Sequence, residues 1–241
     1  MQGGGKIFLA DERGIDEVAS AKTYSTFNFG DYFNPYKRPF GNLYALNDFI
    51  LAGAASLRLK IPEGFYVVLL PVSGAISYND SSVQNELVAA GQAQVISVNR
   101  EAEIVIKNPF RDEAINFLQV LIRSEKTSLE KAIYLSTYED VNRFRNKPVQ
   151  VFPGISDNSS LAFSMHIGKF NGRGEAIYTL RQSSKGFFGF ILEGAFEVEG
   201  RLLHARDGLA LWNMQKVEIE ALSNGAILLL IETEIGSGEK M

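Results

Sequence analysis

The chain contains no cysteine. Disulfides are therefore excluded, and the composition suits a reducing compartment, so the cytoplasm is the expected location. Histidine is nearly as scarce. His166 and His204 are the only two, they lie far apart in sequence, and no H-x-H or H-x-x-H pattern occurs. A zinc site ordinarily draws on more nitrogen and sulfur ligands than this, and iron on a two-His-one-carboxylate face would require folding to bring both histidines to one acid. Excess positive charge is also missing. Lys and Arg number 24 against 28 Asp and Glu, for a net charge of −4, and the cations are spread along the chain rather than clustered. Direct binding of nucleic acid is not expected from such a distribution. No apolar run approaches the ~18–20 residues of a membrane-spanning helix, since the longest, residues 65–72 and 226–231, are strand-length. The opening MQGGGKIFLADERG lacks the apolar core and cleavage site of a secretory signal. Its glycines at 3–5 are expected to fray.

What is present reads as β structure. A chain of 241 residues with 46% hydrophobic and 22% charged residues suits one large or two small domains with a real core. Short β-branched and aromatic runs are punctuated by Gly, Asn, Asp and Pro, the spacing of an antiparallel sandwich or barrel. The segment TYSTFNFGDYFNP (23–35) is dense in aromatics, and GNLYALNDFIL (41–51) reads as a strand with a turn at Asn47-Asp48. The pattern also repeats. SGAISY (73–78) matches EGAFEV (193–198), AGQAQV (90–95) matches DGLALW (207–212), and INFLQVLI (115–122) matches AILLLIET (226–233). Gly74–Gly194 and Gly91–Gly208 are separated by nearly the same span, about half the chain, which argues for two copies of one β unit. Between the copies, Thr137 and Asp140 form a T-x-x-D pair that would open a short linking helix reaching about Phe144. The boundary is placed near residue 135, giving domains 1–135 and 136–241.

Several segments, taken together and in order, resemble the pirin family of bicupins. ADERG (10–14) fits its N-terminal strand, TFNFGDYFNP (26–35) its aromatic signature, LNDF (46–49) its LNDD, and GQAQVIS (91–97) and NFLQV (116–120) the strands flanking its second ligand segment. DGLALW fits the second cupin. The resemblance implies an all-β fold: a duplicated double-stranded β-helix of the RmlC-like jelly-roll type, with two β-barrels side by side and iron in the first. It also implies either dioxygenation of flavonols such as quercetin or a role as a transcriptional co-regulator. Family metal ligands fall on a His-Pro-His and a His-x-Glu. Aligned on the segments LRLKIPEGFYVV (57–68) and NREAEIVIKNPF (99–110), those four places hold Lys60, Pro62, Ile104 and Ile106. None is a metal ligand, and a dioxygenase of this type depends on its metal.

Within EAEIVIK (101–107), Ala102, Ile104 and Ile106 alternate with Glu101, Glu103 and Lys107, so the two isoleucines are expected to fill the former ligand pocket, each worth ~1.5–3 kcal/mol of burial. Lys60 is ambiguous. Simple alternation of Leu57, Leu59 and Ile61 exposes it, whereas the family register turns it inward, toward Glu63 or Tyr66. Solvent exposure at the barrel mouth is the favoured reading. The sharper alternative is an anion-binding pocket built from Lys60, Tyr66, Ile104 and Ile106.

Elsewhere, His166 lies on an alternating strand opposite Leu161, Phe163, Met165 and Ile167, His204 and Asp207-Gly208 read as loop and turn, and Trp212 as a packing residue. FNGRGEA (170–176) lacks the third glycine of a dinucleotide site and reads as a hairpin turn. The expectation is a metal-free bicupin with no cofactor that binds an unknown small molecule or acts in regulation rather than catalysing. It touches neither nucleic acid nor membrane directly and is compatible with a homo-oligomer. The alternative is a quercetin 2,3-dioxygenase-like oxidoreductase that places metal elsewhere, through His166 or His204, or works without metal. A third reading makes the aromatics at 24–40 a protein-contact surface rather than a seal on the first barrel.

Overall fold

Alternation sets the strands. In Ala102–Lys107, Ile104 and Ile106 are buried while Glu103 and Lys107 are exposed, the period-two pattern of a strand with one face in a core. The computed structural model describes residues 3–80, 84–125, 133–138, 141, 143–156, 159–182 and 185–235. Strands dominate it, with a 3-10 turn at Ala10–Glu12, and no α-helix occurs among the described residues. No helix there is long and apolar enough to cross a membrane.

The chain divides into two compact units, residues 14–39 with 43–137, and residues 1–13 with 40–42 and 138–241. The first unit has a seven-stranded sheet in the order Ile133–Thr137, Gln92–Val98, Phe65–Ser73, Ile115–Arg123, Leu43–Leu51, Ala21–Ser25, Gly14–Val18. Its four-stranded sheet runs Ser56–Ile61, Ala102–Lys107, Ala75–Asn79, Glu86–Ala89. One hydrophobic core draws on both sheets, including Leu59, Ile61, Phe65, Val67, Ile104 and Phe117.

The second unit repeats the plan. Its six-stranded sheet runs Gly4–Phe8, Gly208–Trp212, Lys185–Glu193, Ala226–Glu234, Ser164–Phe170, Val149–Phe152, and its four-stranded sheet runs Glu175–Thr179, Lys216–Ala221, Ala195–Val198, Arg201–His204. The core again draws on both. Each unit is thus a two-sheet antiparallel jelly roll. The repeat noticed in sequence is a repeat of topology, down to its turns. Gly74 and Gly194 follow equivalent strands with φ of +75° and +77°, a conformation open to glycine at little cost.

Gly4 and Gly5 do not fray from the fold. Gly4–Phe8 pairs antiparallel with Gly208–Trp212, Gly4 opposite Trp212, and occupies in the second unit the edge that Ile133–Thr137 occupies in the first. Glycine is required there because a Cβ on Gly4 would stand 2.2 Å from the Trp212 ring. Division at residue 135 therefore misses an exchange, since residues 1–13 and 40–42 pack with the later unit.

Two local expectations also change. Leu43–Leu51 is one continuous strand with Asn47 and Asp48 buried, not a strand with a turn. Their side chains pair across the sheet instead, Asn47 Nδ2 donating to Gln119 Oε1 at 3.0 Å and Asn116 Nδ2 to Asp48 Oδ1 at 2.5 Å. Thr137 closes the strand Ile133–Thr137; Val141 beyond it is in 3-10 conformation, its N–H donating to Tyr138 O at 3.0 Å, and residues 139, 140 and 142 of the expected helix lie outside the described residues.

Candidate functional site

Antiparallel pairing fixes which side chains of the first unit meet. Leu59 stands opposite Ile104, Leu57 opposite Ile106, and Ile61 opposite Ala102. Directly paired residues share a sheet face, so Leu59, Ile61, Ile104 and Ile106 all enter the core, each 6% exposed or less. Lys60 and Pro62 fall on the other parity and are exposed. Lys60 sits opposite Glu103, whose carboxylate pairs with the Arg58 guanidinium.

The pocket considered at Lys60, Tyr66, Ile104 and Ile106 does not form. Tyr66 is buried, but on the face of its strand opposite Phe65 and Val67, which line the core. Lys60 is in solvent and the isoleucines are in hydrocarbon. The residues directed into the first unit at this level are Leu59 and Ile61, one position away from those matched by resemblance. Neither set offers a metal donor. No group of three or more His, Cys, Asp or Glu that could hold a metal occurs among the described residues, and the side chains present at the family site do not fit a transition ion.

A cavity of 420 Å³ nevertheless lies in this unit, with Phe29, Tyr32, Phe49, Leu57, Leu59 and Thr23 among its lining residues. Phe49 stacks on Phe117, with centroids 5.0 Å apart and planes 10° from parallel. Asp16, Asp31 and the ion-paired Arg58 also line it. The aromatic segment contributes unevenly. Phe27 is fully buried and Phe29 packs on the first core. Phe40 joins the second unit beside Phe188 and Trp212, whereas Phe33 and Tyr36 are 77% and 75% exposed.

A polar cluster that sequence reasoning missed lies in the second unit. The Tyr178 hydroxyl donates to Glu232 Oε2 at 3.1 Å and lies 3.4 Å from His166 Nδ1. The Arg181 backbone N–H reaches both Glu232 oxygens at 3.2 Å. Glu232 is 1% exposed. Burial, and secondarily the Arg181 charge, lower the His166 pKa to about 4. Burial, then Glu232, push the Tyr178 phenol well above its ordinary value. The available signal was parity, because Glu232 follows the inward Leu228 and Leu230 on one strand.

The other histidine has a different setting. His204 is exposed, and the buried Asp207 accepts from the backbone N–H groups of Ala10 and His204 at 2.8 Å each. That acid ties the N-terminal segment to a turn.

A jelly roll built twice defines a bicupin. Residues 162–232 match the family model described as quercetinase C-terminal cupin domain. Over 223 residues the chain is 21% identical to a quercetin 2,3-dioxygenase of Escherichia coli strain K12, spanning 91% of this chain and 95% of that one. It is 22% identical over 235 residues to a putative quercetin 2,3-dioxygenase of Pasteurella multocida, with 93% and 97% covered. The crystal structure of YhhW from Escherichia coli superimposes with a TM-score of 0.84 at 18% identity, covering 98% of this chain and all of that one. Bacterial pirin YhhW in complex with nickel(II) gives 0.82 at 20% identity, covering 97% and 100%. The chain has the fold of these pirin-like bicupins, and its second unit matches the cupin-domain model.

Proposed function

We propose that the chain is a metal-free pirin-like bicupin whose first unit binds a small molecule rather than catalysing metal-dependent oxidation. The observation that carries this reading is the pairing of Leu59 with Ile104, both buried, where a metal centre would need nitrogen or oxygen donors. The 420 Å³ cavity beside it falls in the size range of small-molecule pockets. Aromatic Phe29, Tyr32 and Phe49, with the Thr23 hydroxyl, suit a compact and largely apolar ligand with a few hydroxyl groups. Neither nucleic acid nor membrane belongs to this reading, and the cysteine-free composition suits the cytoplasm.

The second reading, a quercetin 2,3-dioxygenase-like oxidoreductase, is favoured by the names of the relatives and by their near-complete coverage. Incubating the purified chain with quercetin under air, with and without added iron(II) or nickel(II), separates the two. The binding reading expects quercetin loss no faster than in protein-free controls containing the same metal. Metal-dependent, saturable turnover would replace it with the oxidoreductase reading.

A further inference from the structure

The strands at one edge of the first unit's larger sheet line up in rungs. Asp16 pairs with Thr23, Thr23 with Phe49, and Phe49 with Phe117. Directly paired residues share a face, and Phe49 and Phe117 belong to the core, so Asp16 and Thr23 lie on the core-facing side of the sheet. Gly14 pairs with Ser25 on the next rung of that face. The Tyr32 ring lies over Gly14, 2.3 Å from where a Cβ would stand. The 420 Å³ cavity collects these groups. Asp16, Thr23, Tyr32 and Phe49 all line it, joined by Asp31 from the turn between Phe29 and Tyr32.

Charge in the cavity is one-sided. The Asp16 and Asp31 carboxylates have no hydrogen bond or ion pair among the described residues. Arg58 is the one cation among the lining residues, and Glu103 already pairs with it. Two uncompensated carboxylates therefore share a cavity with three aromatic rings. That combination is complementary to an organic cation. An ammonium group donates charge-assisted hydrogen bonds to a carboxylate, and aromatic faces attract it as well. The Thr23 hydroxyl, next to Asp16 on its rung, adds a further acceptor. Phe49, Leu57 and Leu59 supply the apolar surface for the rest of the molecule.

We propose that this cavity binds a small primary amine in its ammonium form, carried on an aromatic or otherwise apolar body, with Asp16 as the anchoring residue. The assignment rests on the reading that the cavity binds a small molecule, and it names the chemical class.

Three probes of nearly constant size test it: 2-phenylethylammonium, 2-phenylethanol and 3-phenylpropanoate. In 15N-labelled protein, the backbone amides of Gly14, Thr23, Ser25 and Gly30 serve as reporters. The ammonium should shift them saturably. The alcohol should bind at least about fivefold more weakly, because it forgoes the charge-assisted contact, and the carboxylate more weakly still. The preference for the ammonium should shrink as salt is raised. Asp16→Asn, a nearly isosteric change at an exposed position, should abolish that preference and leave the alcohol's affinity unchanged, a split that damage to the fold would not produce. The proposal is overturned if the alcohol or the carboxylate binds wild type as tightly as the ammonium, or if Asp16→Asn keeps the preference. In either case the cavity still binds a small molecule, and the reading beneath the proposal stands. If none of the three probes shifts these amides saturably, that reading falls with it.

Discussion

Leu59 sits directly opposite Ile104, and both side chains are buried in the core of the first unit. That core is therefore sensitive at Ile104 and indifferent at Lys60. Ile104→Ala should cost ~2–5 kcal/mol through lost contacts and a residual cavity. Ile104→His should be comparably damaging, since the imidazole would enter hydrocarbon without a partner. Lys60→Ala, at an exposed position, should move stability by less than ~0.5 kcal/mol. Denaturant titration of the three variants checks the contrast.

Two buried tyrosines should answer oppositely to removal of the hydroxyl. Tyr78 is fully buried, its oxygen has no hydrogen-bond partner, and burial with the charges of Asp80 and Glu86 raises its pKa to about 12. Tyr78→Phe should leave stability unchanged or raise it by up to ~1 kcal/mol, because a desolvated and unpaired group is removed. Tyr178→Phe takes a donor from the buried Glu232 and should cost ~1–3 kcal/mol. Parallel thermal melts distinguish the pair.

Acid should act through His166. Its pKa is lowered from 6.5 to about 4, so between those values the unfolded chain binds more protons than the folded one. The neutral imidazole's contribution is complete above pH 6.5 and is lost as the pH falls toward 4, on the order of 3 kcal/mol at most. The groups acting on it are Tyr178, within hydrogen-bonding reach, and the Arg181 charge. The stability difference between wild type and His166→Gln should therefore change across pH 6.5–4 by up to that amount, in the direction of a relatively weaker wild type in acid. A constant difference would show that His166 is not held neutral.

The N-terminal strand should behave as part of the second unit. Gly4 faces the ring of Trp212, the chain's only tryptophan. Gly4→Val should displace that ring or detach the strand, costing ~1–3 kcal/mol and shifting tryptophan emission. An unchanged spectrum and melting temperature would place the strand elsewhere.

Much of this architecture was legible in the sequence, because period-two alternation and repeated glycine turns report local physics. EAEIVIK gives its own inward face, and Gly74 and Gly194 mark equivalent turns. The positions opposite were harder to read. Matching by resemblance put Lys60 and Pro62 at the ligand places, but cross-strand pairing with Ile104 and Ala102 directs Leu59 and Ile61 inward. Pairing is a long-range property that a segment does not carry alone. The same holds for the polar cluster, where His166, Tyr178 and Glu232 come from three separate strands. The glycines at 3–5 look flexible by composition, yet Gly4 is fixed by a tryptophan more than two hundred residues later.

Metal content tests the central claim most directly. The chain should be produced in medium supplemented with iron and nickel, purified without chelator, desalted, and analysed by plasma mass spectrometry alongside an Ile104→Ala variant. The account predicts iron and nickel far below one ion per chain in both proteins. One tightly retained transition ion per wild-type chain, lost when the first unit's core is altered, would contradict it.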